Sequence, residues 1–154
     1  MVNLYTVLKT VHVLAAVTWL GGAGMIVILI SRARRSRDDP GRLAHLMREV
    51  SVLGPRVFAP SSLILLITGV ILIYDFGWAY DAWIILAYLG WAATFVTGNF
   101  FLGPSATKAN AALDAKGPSD PETLQYIDRV LTVARIDQVV LALMVIDMVI
   151  KPGT

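Results

Sequence analysis

Four long apolar stretches, separated by more polar segments, constrain this chain more than any other feature. They lie at about residues 4–30, 57–74, 82–102 and 136–150. A helix that crosses the hydrocarbon core of a bilayer needs about 20 mainly apolar residues. The chain is 56% hydrophobic and 16% charged, whereas a soluble domain has ~45–50% and ~25%. These values exclude a soluble enzyme and a disordered tail, and the lack of cysteine excludes a disulfide scaffold or a zinc ribbon.

The sequence therefore predicts an all-α fold, a four-helix transmembrane bundle that forms a single membrane domain over residues 1–154. The first span is too long for the apolar core of a signal peptide, so we expect it to remain in the mature protein. Asp120 and Pro121 suit the N-cap and the first position of a helix. The fourth helix should therefore cover about 121–150, with its membrane part at about 134–150.

These boundaries also predict a stem outside the membrane. Gly103-Pro104 should kink or end the third helix, which can resume as far as Ala115. The fourth helix would be about 30 residues, or roughly 45 Å, long, so its first third would project from the bilayer. Together the two segments would form a polar, water-exposed hairpin.

Basic residues predict the orientation of the bundle. Eleven of the thirteen lysines and arginines lie in the first and third loops, while the middle loop carries Asp75 and Asp81 and no basic residue. Because basic loops stay cytoplasmic, both termini should be extracytoplasmic, N-out and C-out, in the cytoplasmic (inner) membrane. Trp78, Tyr80 and Trp83 around the middle loop are typical of an interfacial aromatic belt. The arginines thus indicate topology in a lipid bilayer, and no nucleic-acid partner is expected.

The first cytoplasmic loop contains a segment of amphipathic pattern, from Arg42 to Val52. Leu43, Leu46 and Met47 share one face at helical spacing. This pattern predicts either a short amphipathic helix at the membrane interface or a helical connector with basic flanks.

Ionisable groups inside a span are costly and are therefore candidates for function. Lys9 and His12 share one face of the first helix, and Asp147 of the fourth helix lies at a similar depth near the outer leaflet. Asp137 lies deeper, at the cytoplasmic end of the fourth span, and we expect it to form an ion pair with Arg56 or Arg135, of which Arg56 is favoured. The alternative for Asp147 is a helix-end pair with Lys151, and for Lys9 a side chain that extends to the outer headgroups.

His12 is the only histidine inside a span, and it is followed by Trp19 and the small residues Gly21–Gly24. Small residues allow a helix or a flat ligand to approach the backbone closely. His12 is thus either an interhelical hydrogen-bonding residue or a metal ligand. His45 lies on the cytoplasmic side, too far away for bis-histidine ligation. Met144 lies at a depth close to His12 and would be either a sixth ligand or a core methionine.

The pattern of Lys9, His12, Trp19 and Gly22 resembles the first helix of the HemJ-type protoporphyrinogen oxidases, small helical membrane proteins that bind b-type haem through a histidine at this position. CopD-type copper-resistance membrane domains have a similar helix, although this chain has no cysteine and no methionine–histidine cluster for copper. The resemblance covers the first helix only and implies haem b with His12 as the iron ligand. Trp19 and Gly22 would then shape the pocket and Lys9 would meet a propionate, with Asp147 or Met144 approaching from the fourth helix.

Over nearly its whole length the chain resembles an uncharacterised bacterial membrane family, domain of unknown function 2269. The shared features are His12–Ala15, Trp19–Gly22, the arginine-rich first loop, Arg56–Pro60, Thr68–Val70, Gly103-Pro104, Ala134–Asp137 and Val149–Pro152. Two functional hypotheses follow. The chain is a redox protein that binds b-type haem through His12, or it is a non-catalytic accessory subunit or scaffold that associates with other membrane subunits or a second copy of itself.

Overall fold

The computed structural model describes residues 3–36, 39–75 and 81–152, and every regular element within these ranges is helical. Two short π-helical segments, Gly54–Phe58 and Thr97–Leu102, continue the helices on either side of them without a break. The α-helices are α1 (Leu4–Arg35), α2 (Pro40–Leu53), α3 (Ala59–Asp75), α4 (Ala82–Val96), α5 (Gly103–Lys116) and α6 (Pro121–Ile150).

The chain thus forms four long helices, because α2 continues into α3 and α4 into α5. Their lengths are 32, 36, 35 and 30 residues, or about 45 to 54 Å at 1.5 Å per residue. Each of these lengths exceeds a hydrocarbon core of about 30 Å by roughly 15 Å or more.

Three of the long helices in the described part of the chain are long and apolar enough to span a membrane: Leu4–Arg35, Pro40–Asp75 and Ala82–Lys116. The fourth, α6, differs because the 18 residues at its end, 133–150, contain Arg135, Asp137 and Asp147. The four-helix bundle is confirmed as a helical architecture, and three of its helices are candidate spans.

Local sequence signals account for several helix ends. Asp120 caps α6 as predicted, and its carboxylate accepts hydrogen bonds from the Glu122 and Thr123 N–H groups. Asn3 caps α1 in the same way through Thr6. Gly117, with φ of +85°, ends α5 in a conformation that favours glycine. Residues 76–80 of the middle loop, with Trp78 and Tyr80 of the expected aromatic belt, lie outside the described residues.

The predicted stem contains four helices rather than two. We use the name stem for α1 from Ile30 onward, α2, α5 and α6 as far as Leu131. Its helices bury a cluster of apolar residues that includes Ile30, Met47, Ala109 and Ile127. Leu43 and Met47 belong to this cluster, so the apolar face of the amphipathic segment packs against other helices in the bundle.

Ion pairs lie around the stem, between Arg34 and Asp128, between Arg48 and Asp114, and between Lys116 and Glu122. Toward the other end the bundle is more open. There α3 packs on α1, α1 on α6 and α6 on α4, whereas α3 and α4 barely touch. The large exposed side chains of this half are apolar, as expected for surfaces that contact lipid.

Candidate functional site

Each π segment adjoins a Gly-Pro pair: Gly54-Pro55 begins the first segment, and Gly103-Pro104 directly follows the second. Proline has no N–H, so a carbonyl one turn earlier loses its helical partner. The first segment is closed by a wider turn, in which the Ala59 N–H donates to the Gly54 carbonyl, and the second by a bond of the same type. Such turns displace the local backbone and are frequent at functional sites.

Both π segments border one cavity of about 580 Å³ in the centre of the bundle, and all four long helices contribute to its wall. A Cβ atom built on Gly54 or Gly98 would meet no atom within 4 Å, so the backbone at both positions adjoins open space. The volume falls in the range of about 300–1,000 Å³ that is usual for small-molecule sites.

Most polar side chains in this wall are hydrogen-bonded. The Ser62 hydroxyl donates to the Ala59 carbonyl over 2.9 Å, and the Asn99 amide donates to the Phe95 carbonyl over 2.8 Å. The Trp91 indole N–H donates to the Ser62 carbonyl over 3.0 Å and so connects α4 to α3 across the open seam.

Asp137 differs from these bonded side chains. It lines the cavity and is 8% exposed, and its Oδ1 has no hydrogen-bond partner among the described residues. The predicted ion pair between Asp137 and Arg56 is wrong, since none of the ion pairs in the described ranges includes either residue. Arg56 is exposed, because a long cationic side chain can stay solvated at the surface. Arg135 instead donates to the Ser31 hydroxyl over 2.9 Å.

His12 lies outside this cavity wall, half-buried between α1 and α3. Its Nδ1 is 2.8 Å from the Thr68 hydroxyl oxygen, which is itself 2.6 Å from the Ile64 carbonyl. Because the single hydroxyl proton of Thr68 is directed to that carbonyl, the oxygen accepts from the Nδ1–H of His12. Gly69 makes room for the ring, since a Cβ there would lie 3.3 Å from the His12 Cε1.

Trp19 and Gly22 lie nearer the central cavity than His12 does. Trp19 is buried in the cavity wall. A Cβ on Gly22 would lie 3.0 Å from the ring of Phe58, and one on Gly24 would lie 3.0 Å from the Gln138 amide oxygen. These two glycines therefore admit neighbouring side chains of other helices.

The remaining candidates lie on different surfaces. Lys9 is exposed, with its Nζ 5.7 Å from the ring centre of Tyr5. Met144 packs onto α4, where a Cβ on Gly90 would be 2.5 Å from its Cγ. The carboxylate oxygens of Asp147 are buried and have no hydrogen-bond partner in the described part of the chain. The alternative interpretation of Asp147, a helix-end pair with Lys151, is therefore not observed.

The structure joins none of the six sequence candidates to another by a hydrogen bond or ion pair within the described ranges. Nor do these ranges contain a group of three or more His, Cys, Asp or Glu residues that could hold a metal ion. The sequence interpretation missed Thr68 as the partner of His12, and it missed the cavity. The repeated Gly-Pro pair in two apolar helices was the available signal for the cavity.

Comparison with known families gave one match. A family model described as "Predicted integral membrane protein (DUF2269)" matches residues 6–152. Searches of curated proteins and of solved structures gave no significant match.

Proposed function

The chain belongs to this family of predicted integral membrane proteins, and from that premise we propose that it binds a mainly apolar molecule carrying a cationic group in the central cavity. The observation that carries the proposal is the buried carboxylate of Asp137, which lines the cavity with an unpartnered oxygen. The cationic group of this ligand would pair with the carboxylate of Asp137.

The physical argument concerns the cost of burial. A carboxylate removed from water without a partner costs several kcal/mol, and ionisable residues at membrane depth usually mark a functional site. Around Asp137 the wall is formed mainly by apolar side chains, and the Ser62 hydroxyl and the Asn99 amide in it are already bonded. A ligand with an apolar body and one cationic group would complement this wall.

Ethidium, an apolar aromatic cation whose fluorescence rises when it leaves water, is a suitable probe for the purified protein in detergent. We expect saturable binding to the unaltered chain and binding about tenfold or more weaker in Asp137→Asn, because a charge-assisted contact is lost. The same variant should unfold no more easily than the parent, since it removes an unpaired buried charge.

Asp147→Asn is the matched control, because Asp147 is the other unpartnered acid on α6 and does not line the cavity. Its ethidium affinity should equal that of the parent. Equal affinity in the parent and in Asp137→Asn would refute the proposal.

A second candidate function is binding of b-type haem at His12. It is favoured by the Thr68 hydroxyl, which is hydrogen-bonded to Nδ1 of His12. Nε2 is therefore the nitrogen that would bind iron. Ligating histidines commonly have their other ring nitrogen fixed by such a hydrogen bond. Haem would supply one-electron redox chemistry. Lys9, exposed one turn from His12, would meet a propionate.

Absorption spectroscopy after incubation with haemin tests this candidate. We expect a Soret band that is lost in His12→Ala and retained in His45→Ala, which removes the only other histidine of the chain. A colourless protein, or a band of equal intensity in both variants, would contradict haem binding at His12.

The alternative to both candidates is a non-catalytic accessory subunit or scaffold. It would act through other membrane subunits or a second copy of the chain, and neither ethidium nor haem would bind. The two binding experiments therefore also discriminate this alternative.

For the placement of the bundle we propose the cytoplasmic (inner) membrane, with α6 as the fourth span and both termini extracytoplasmic. The support is the charge pattern, because the stem carries the basic loops while Asp75 and Asp81 flank the opposite end.

A further inference from the structure

A second cavity, of about 540 Å³, lies between α1 and α6 at the level where both helices change from apolar to charged residues. Ser31 follows the apolar run of α1, and Arg135 precedes that of α6. The hydrogen bond from Arg135 to the Ser31 hydroxyl fixes the two helices at this level. The polar residues that line the cavity are Ser31, Arg34, Arg35, Asp128, Thr132 and Arg135.

The charges in this basic pocket are unbalanced. Arg34 makes a bidentate pair with Asp128, through two N–H···O bonds of 3.0 Å each. The guanidinium groups of Arg35 and Arg135 form no ion pair with the described residues. These two guanidinium groups lie beside the Ser31 hydroxyl. Together they offer N–H and O–H donors that match the oxygens of a phosphate group.

An exposed apolar surface adjoins the basic pocket on its membrane side. Ile28 precedes Ser31 by three residues on α1, and Val139 follows Arg135 by four residues on α6, so each lies on the same helix face as a pocket residue. Ile28 and Val139 are 55% and 59% exposed, and Ile136 beside them is 61% exposed. A molecule with its phosphate in the pocket would place an attached chain against these side chains.

We infer that the basic pocket binds the phosphate of an anionic membrane lipid, whose acyl chains lie along Ile28, Ile136 and Val139. Free phosphate shares the same anion chemistry, but it would leave the adjoining apolar surface unused. Basic pockets between membrane helices at the headgroup level are known to suit anionic headgroups. The inference is independent of the cavity at Asp137.

Native mass spectrometry of the delipidated full chain in detergent tests the inference, with dioleoylphosphatidylglycerol, dioleoylphosphatidylcholine and inorganic phosphate added separately. We expect retention of the anionic lipid and much weaker retention of the zwitterionic one. The double variant Arg35→Gln/Arg135→Gln should bind phosphatidylglycerol about tenfold more weakly. Arg35→Gln alone, which removes no hydrogen bond between described residues, should give a smaller loss in the same direction.

The matched control is Arg42→Gln/Arg129→Gln, which changes the net charge equally at two exposed arginines outside the pocket. Its lipid binding should equal that of the parent, and circular dichroism should give the same helix content for all variants. Equal losses in pocket and control variants would show a diffuse charge effect and overturn the site. Displacement of bound phosphatidylglycerol by excess inorganic phosphate would overturn the lipid assignment.

Discussion

At the scale of single residues, two buried threonines allow a hydrogen bond between helices to be compared with hydrogen bonds within one helix. The hydroxyls of Thr68 and Thr94 both lie within hydrogen-bond distance of carbonyls one turn earlier in their own helices. Only Thr68 also accepts from another helix, through the Nδ1–H of His12. The two residues are 6% and 1% exposed, so burial alone does not distinguish them.

We expect Thr68→Val to destabilise the bundle by about 1–2 kcal/mol, because it removes the hydroxyl oxygen that accepts from the His12 N–H in an apolar setting. Thr94→Val, the matched control, should cost less than about 0.6 kcal/mol, since the carbonyls it releases keep their helical bonds. Equilibrium unfolding in mixed detergent and dodecyl sulfate micelles, followed by circular dichroism, measures both. Equal costs would show that the His12–Thr68 contact contributes nothing.

At the scale of helices, the close approach of α4 and α6 depends on one small residue. Gly90 faces Met144, and a Cβ at this position would lie 2.5 Å from Cγ and 2.8 Å from Sδ of that side chain. Both atoms lie in the middle of the Met144 side chain, which can move aside less easily than its terminal methyl group. The absence of a side chain at Gly90 therefore allows Met144 to fill the interface.

Gly90→Ala should destabilise the bundle by about 1–3 kcal/mol, as expected for overpacking of a close interface. Gly21→Ala serves as its control, because a Cβ there meets no atom within 4 Å and alanine is favoured over glycine in a helix by up to about 1 kcal/mol. Unfolding in mixed micelles again gives the measurement. Adding Met144→Ala to Gly90→Ala should cost less than the sum of the single changes, and strict additivity would contradict the clash.

Sequence reasoning worked where the cause is local. The Asp120 cap, the Pro121 start of α6 and the end of α5 at Gly117 follow from the preferences of one or two residues. It failed where the answer depends on which helix faces which. Asp137 was expected to pair with Arg56 because both lie at a similar depth, yet depth does not fix the rotation of a helix. The π segment Thr97–Leu102, through which α4 continues into α5 at Gly103, likewise depends on packing against other helices.

At the scale of the whole molecule, burial is concentrated outside the proposed membrane region. The stem holds the apolar cluster around Met47 and Ile127 together with its ring of ion pairs, as in a soluble helical bundle. The other half presents apolar side chains outward and has an open seam between α3 and α4. The hydrophobic effect stabilises the stem in water, whereas the half in lipid depends on packing and hydrogen bonds.

The charge pattern leads to a direct prediction of topology. Arg35 and Asp75 are both exposed, at opposite ends of the bundle. The chain has no native cysteine, so a cysteine introduced at either position would be labelled without interference. In intact cells an impermeant maleimide labels an introduced cysteine that lies outside the membrane. It labels a cytoplasmic cysteine only after permeabilisation. We expect labelling without permeabilisation for Asp75→Cys and only after permeabilisation for Arg35→Cys. The reverse pattern would invert the proposed orientation.

The unbroken passage of two long helices through the π segments has a mechanical consequence. The helix Pro40–Asp75 and the helix Ala82–Lys116 each form part of the stem at one end and part of the cavity wall at the level of Asp137. We expect that a protein which binds the stem and changes the spacing of these two helices also changes the space around Asp137. A molecule bound in the cavity would then change the affinity of the stem for that protein by the same coupling free energy.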